Sequence, residues 1–369
     1  MKTCADIKRA LNLKCASLGI PSSGIFELTP RCNLRCKMCY VRLDPCQMAP
    51  LGRERTKEEW LDMARQCRDA GMAFLLLTGG EPTIRPDFPE LFEEISQMGI
   101  SIAVNTNGTH LTAQVREVWH RSPPSQVNIT LYGTCREDYE ALCGNGDAFD
   151  RVEEALTWLK MEGILVHLNT PIVPTNYPEW QSIEAFALSH GLELRMTTYC
   201  FPPTRRDDST FERLTPEQAG QLIVQDCHYQ EGDISILAKA QDLDRKPLPR
   251  SCELDNGEPM QCLAGRSQFW ITWNGTMTPC AMLTQPTVRP FEDGFLPAWE
   301  QLKALCAPIR LCPDCADCPE QASCMNCAAV TFSETGRFDG KPEYMCKLNK
   351  AYREALLELA EELKAHTGN

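Results

Sequence analysis

Cys32, Cys36 and Cys39 stand within eight positions in "TPRCNLRCKMCY" (29–40), with no histidine or fourth cysteine at matching spacing. Thiolates hold zinc or iron–sulfur clusters. A closed zinc site takes four ligands, and a [4Fe–4S] cluster is normally held by four cysteines. Three thiolates on such a cluster leave one iron open to an external molecule. Zinc is the alternative, and nothing nearby completes its tetrahedron. A second group lies far downstream: "CLAGRSQFWITWNGTMTPC" (262–280) is followed by "CPDCADCPEQASCMNC" (312–327) and by Cys346.

The elements that must position these residues repeat along the chain. Strand-like runs fall at 24–29, 73–78, 101–106, 126–132, 164–172 and 192–199. Amphipathic stretches separate them, near 112–121, 147–162 and 178–190 among others. One begins with a capping box, Thr56 with Glu59, and stops at Gly71. Strands alternating with helices imply right-handed crossovers and a parallel sheet. Six such units predict an α/β fold, an open (β/α)6 barrel with ligands at the carboxyl ends of its strands. The cysteine loop, "TGGEP" (78–82), "NTNG" (105–108), "TLYG" (130–133) and "NTPIVPTN" (169–176) each follow one strand, so all fall on that face.

The chain has 369 residues, a net charge of -13 and 21 cysteines. No basic stripe is available to neutralise phosphates, which excludes a nucleic-acid partner. No apolar run reaches the roughly 20 residues of a membrane span, and "MKTCADIKRALNLKC" lacks the apolar core of a signal peptide. Clustered cysteines without an export signal point to metal in a reducing cytoplasm rather than to disulfides.

Cys32, Cys36 and Cys39, with "GGEP" (79–82) after the next strand, resemble the radical S-adenosylmethionine (radical SAM) enzymes. The resemblance implies that the open iron chelates S-adenosylmethionine and that its reductive cleavage gives a 5'-deoxyadenosyl radical. It places Gly79, Gly80, Glu81 and Pro82 along the methionine amino group, with Glu81 on the ammonium, and Thr130 on the ribose. Met38 stands where an aromatic side chain often packs on adenine. Asn105 and Asn169 are further cofactor candidates.

The second cysteine group resembles the SPASM extension of radical SAM enzymes that modify peptides and proteins. The resemblance implies two auxiliary [4Fe–4S] clusters. Cys262, Cys280 and Cys327, with Cys252 as fourth, would hold the nearer one. Cys315, Cys318, Cys324 and Cys346 would hold the farther one, and Cys312 is a spare or competing ligand. Two residues rather than three separate Cys324 from Cys327, and a zinc knuckle is the alternative. The expected division is a helical extension (1–23), the barrel (24–230), a linker (231–251), the small cysteine-rich SPASM domain (252–349) and a C-terminal helix (350–369).

The implied substrate is a peptide or protein, often ribosomally made, crosslinked, oxidised or epimerised. Electrons would come from a flavodoxin- or ferredoxin-type reductant. Residues before the first strand are too few for a leader-binding domain, so leader recognition falls to a separate protein or to the catalytic domain. Arg205 and Arg206 are candidates for a peptide carboxylate, and Cys135, Cys143 and Cys200 sit near active-face loops. A rival reading is an anaerobic sulfatase maturase, but Cys280 is followed by Ala281 where such enzymes typically carry an aspartate. A non-catalytic iron–sulfur carrier or sensor is a reading of another class, and it has no use for an amino-acid-binding loop.

Overall fold

Runs such as "QVNIT" and "VHLNT" alternate polar and apolar residues, and that alternation sets which side faces what. In the computed structural model, which describes residues 4–203, 211–243, 262–316 and 318–367, β1 (Ser23–Glu27), β2 (Phe74–Thr78), β3 (Ser101–Thr106), β4 (Gln126–Thr130), β5 (Val166–Pro171) and β6 (Glu193–Thr197) form successive parallel pairs. All six expected strands are present. Val127, Ile129 and Leu168 are buried against the helices, while Asn128, Thr130 and Asn169 face the other way. The sheet does not close, and β6 forms one of its edges.

Helices cover the apolar side. Lys57–Asp69 carries the expected capping box: Thr56 N donates to Glu59 Oε2 (2.8 Å) and Glu59 N to Thr56 Oγ1 (3.3 Å). Phe88, Phe92 and Trp119, from helices Phe88–Ser96 and Ala113–Arg121, pack tilted or edge-on with ring centroids within 6.4 Å of one another. Helices Ala148–Met161 and Trp180–His190 complete the expected set. A further helix, Arg136–Cys143, follows β4 where a loop is expected.

The cysteine-rich part is not separate from this sheet. β7 (Gln268–Ile271) pairs in parallel with β1, Ser23 opposite Gln268 and Phe26 opposite Ile271, and β8 (Met277–Thr278) pairs antiparallel with β7. Trp270 Nε1 donates to Glu27 Oε2 at 3.0 Å, both residues buried. The segment 231–251 contains a helix, Asp233–Asp242, because Ile236 buries with Val224, Leu356 and Ala360 between it, helix Pro216–Glu231 and the last helix. That last helix runs Glu343–Thr367, beginning just after Pro342 rather than at 350, so it carries Cys346. No helix among the described residues is long and apolar enough to cross a membrane.

Glu184 lies buried between helices Trp180–His190 and Pro216–Glu231, accepting from Gln230 Nε2 at 3.1 Å. Burial, and then Asp226, pushes its carboxyl up to about 7. A raised carboxyl is harmless below its unfolded value and costs stability as pH rises through the folded one. Glu184→Gln is therefore expected to stabilise the chain by on the order of 1 kcal/mol at about pH 8 and little near pH 4. Thermal melts at both pH values check this, and equal shifts would contradict it.

Candidate active site

Thr29 and Pro30 lead from β1 into the cysteine loop, and Arg31 is clamped to Glu54 by two 2.9 Å hydrogen bonds. The turn closes with Cys39 N donating to Cys36 O (3.1 Å). Arg35 N and Lys37 N donate to Cys143 O and Leu142 O, so the end of helix Arg136–Cys143 holds the middle of the loop. Lys37 Nζ reaches Glu212 at 3.1 Å and Thr175 at 3.0 Å. N–H groups are aimed at the sulfurs: Leu34 N (3.4 Å) and Asn107 Nδ2 (3.6 Å) at Cys32, Arg42 N (3.3 Å) at Cys39. Such donors stabilise anionic sulfur and tune a bound cluster. Without that charge, burial and then Glu81 hold the Cys32 thiol well above the ordinary range.

The glycines of the second loop allow an unusually close approach. Gly80 N donates to Thr29 O (2.7 Å) and Glu81 N to Arg31 O (2.9 Å). A Cβ on Gly79 would lie 2.5 Å from Thr29 O, and one on Gly80 2.3 Å from Arg31 O. The Glu81 carboxylate is fully buried and accepts from Thr83 N, Thr83 Oγ1, Thr106 Oγ1 and Asn107 N, at 2.6–3.0 Å. It ties the loop after β2 to the loop after β3. Burial raises its carboxyl even against these donors.

A cavity of about 750 Å³ opens beside these loops. Cys32, Cys36, Cys39 and Met38 line it, with Gly79, Gly80, Asn105, Thr130 and Asn169. Those nine sequence candidates are brought together. Glu81 and Pro82 do not line it, and Glu81 is turned into the loop interior instead of toward a ligand ammonium. Cys200 lines the cavity. Cys143 sits behind it in hydrogen-bonding range of Cys36, and Cys135 starts the Arg136–Cys143 helix away from it. Arg205 and Arg206 lie outside the described residues.

The barrel interior supplies side chains that a reading of the loops alone misses. Asn105, Asn128, His167 and Glu193 stand opposite one another across four strands, and Thr130, Asn169 and Arg195 form the next level. Asn128 Nδ2 donates to Asn105 Oδ1 (2.7 Å), and His167 Nδ1 lies 3.4 Å from Glu193 Oε2. Their signal was the polar alternation in "QVNIT", "VHLNT" and "ELRMT". Met282, two residues past Cys280, reaches the same cavity from the cysteine-rich part.

A second chamber, about 220 Å³, is lined by Cys315, Cys318, Cys324 and Cys346, and also by Cys262 and Cys327. Burial, and then Cys262 and Cys327, brings the neighbouring Cys280 thiol up to about 11. Cys312 is buried against Cys315, and Cys252 lies outside the described residues. Among the described residues no three acidic, histidine or cysteine side chains converge as one metal ion requires, so the thiols surround spaces rather than points.

Residues 26–187, the stretch that builds the cysteine loop and β1–β5, match the model of the radical SAM superfamily. The chain carries a radical SAM domain. Relatives align along most of its length. It is 24% identical over 328 residues to the AdoMet-dependent heme synthase of Methanosarcina barkeri, covering 85% of this chain and 93% of that protein. It is 24% identical over 344 residues to the PqqA peptide cyclase of Streptomyces rochei, covering 87% and 88%. The crystal structure of Streptococcus suis SuiB bound to precursor peptide SuiA superposes with a TM-score of 0.66 at 17% identity, covering 93% of this chain and 80% of that one. The fold is the partial (β/α)6 TIM-like barrel of radical SAM enzymes, and the family's cofactors are a [4Fe–4S] cluster and S-adenosylmethionine. The N–H groups aimed at Cys32 and Cys39 fit an anionic cluster there.

Proposed function

We propose that this radical SAM enzyme abstracts hydrogen from a side chain of a ribosomally made peptide. One observation carries the reading. Three cysteines, the Gly79–Gly80 backbone and an inward ladder of polar side chains line one cavity, whose size lies in the upper part of the range for small-molecule sites. It has room for a cofactor beside a substrate side chain. The named peptide relatives support the substrate class.

In this reading Cys32, Cys36 and Cys39 hold the cluster. Gly79, Gly80, Met38, Asn105, Thr130 and Asn169 bound the S-adenosylmethionine site. Bound there, cluster and cofactor supply a 5'-deoxyadenosyl radical from reductive carbon–sulfur cleavage. The chain's own part is positioning. Glu81 fixes two loops against each other from beneath, and Leu34 N, Asn107 Nδ2 and Arg42 N offset the charge on sulfur. Residues 24–230 form the catalytic unit and 252–349 a SPASM-type unit with two auxiliary clusters, the farther on Cys315, Cys318, Cys324 and Cys346. These pass on the electron left on an oxidised substrate. A flavodoxin- or ferredoxin-type protein serves as reductant in the cytoplasm, and a separate protein assists leader recognition.

A second reading, a tetrapyrrole substrate, is favoured by the similarity to the heme synthase. The sulfatase-maturase reading lacks its proton-accepting carboxylate, since Ala281 follows Cys280. The full chain, reconstituted anaerobically with dithionite and S-adenosylmethionine, is expected to form 5'-deoxyadenosine, with more of it on adding a co-encoded peptide. Mass spectrometry would then show the peptide changed, by a two-hydrogen loss for a crosslink or oxidation. No 5'-deoxyadenosine would overturn the radical reading, and stimulation by an iron porphyrin carboxylate instead of peptide would overturn the substrate.

A further inference from the structure

Cys306 belongs to neither cysteine spacing, yet the fold carries it to the nearer auxiliary site. It ends helix Phe295–Cys306 and is only 5% exposed. Its sulfur faces Gly265, three residues after Cys262. A Cβ on Gly265 would lie 2.6 Å from Cys306 Sγ and 3.7 Å from Cβ of Pro279, the neighbour of Cys280. Gly265 adopts φ +67, and its N–H donates to Gln268 O at 2.8 Å, holding a tight turn there. The helix end therefore abuts both the turn after Cys262 and the residue before Cys280. The thiols of Cys262 and Cys280 are close enough to Cys306 to interact with it electrostatically.

The charge balance points the same way. Arg266 Nη1 is buried with no hydrogen-bond partner among the described residues, and its guanidinium is close enough to favour the thiolate of Cys262. A buried N–H without an acceptor is costly. An anionic group between these thiols would satisfy it.

We infer that Cys306 is the fourth thiolate of the nearer auxiliary cluster, together with Cys262, Cys280 and Cys327. This rests on the auxiliary-cluster reading above and replaces Cys252 in it. Four thiolates leave no iron of that cluster open, so it carries electrons and does not bind substrate.

The test uses the full chain reconstituted with ferrous iron and sulfide under argon, as parent, Cys306→Ala, Cys306→Ser, Cys280→Ala and Cys252→Ala. Iron, sulfide and the electron paramagnetic resonance spectrum are read for each. Cys306→Ala is expected to lose about four irons per chain, or one iron with the appearance of an oxidised three-iron signal, as Cys280→Ala does. Cys252→Ala should match the parent. Cys306→Ser should keep its iron with an altered reduced spectrum, and it decides the matter if the alanine chain does not fold by circular dichroism. Parent-like iron and spectra in both Cys306 variants, while Cys280→Ala loses a cluster, would overturn the inference alone. Full iron in Cys280→Ala as well would overturn the auxiliary-cluster reading beneath it.

Discussion

Gly80→Ala is expected to cut 5'-deoxyadenosine formation by at least about 100-fold, the scale on which an ångström of misplacement acts. The added methyl would sit 2.3 Å from Arg31 O and 2.7 Å from both Arg31 C and Pro30 O. All three are backbone atoms, so no side chain can swing aside. Relief requires the two loops to separate, breaking Gly80 N to Thr29 O and Glu81 N to Arg31 O. Those bonds set the cysteine loop against the wall of the cavity. The stability cost should be about 1–3 kcal/mol, as for other overpacked sites, so the chain still folds while the geometry of its metal loop is lost. Rates from anaerobic assays, set beside thermal melts, check this. A variant turning over within about twofold of the parent would contradict the role given to this contact.

Cys36→Ala should remove the N-terminal cluster and leave 5'-deoxyadenosine at background. Cys36 is 7% exposed and sits deepest of the three cysteines. Cys143 lies within hydrogen-bonding range of it and is the obvious substitute ligand. It is not expected to serve. Burial, the largest cause and one that persists without Cys36, holds its thiol far above the ordinary cysteine range. Its own carbonyl is also committed to Arg35 N, so the helix end moves only by releasing the loop. Iron should fall by about four per chain. Cleavage persisting in Cys36→Ala but lost in Cys36→Ala/Cys143→Ala would show that Cys143 takes the place of the missing thiolate.

Local signals made the barrel legible. The capping box at Thr56 and Glu59 names one helix start, and apolar runs ending in the cysteine loop or in glycine- or asparagine-bearing loops name five strand ends. What escaped was decided at longer range or on the quieter face of a strand. "REDYEALC" does place Tyr139, Leu142 and Cys143 on one buried helical face, but two turns of helix in a polar setting look like a loop. "QFWI" is a four-residue run whose partner is the first strand of the chain, and nothing local specifies that pairing. Among the cofactor candidates, Gly79 and Gly80 were recognisable as glycines needed for close approach. What approaches them in the structure is the cysteine loop itself. Glu81 was named through the resemblance of GGEP, whereas two donors from Thr83 in its own loop and two from Thr106 and Asn107 claim it here. Asn128, His167 and Arg195 sat in strands read for their apolar residues, so their polar alternates went unexamined.

The pairing of β7 with β1 has a consequence for dissecting this enzyme. The strand that delivers the first metal loop borrows its outer neighbour from beyond residue 260. A fragment ending before Gln268 would strip β1 of that neighbour, leaving a raw row of amides and carbonyls and an indole-less Glu27 at the base of the chemistry. The barrel and the cysteine-rich segment are thus spliced through one ladder, and severing them would fray the strand that leads into the three-cysteine loop.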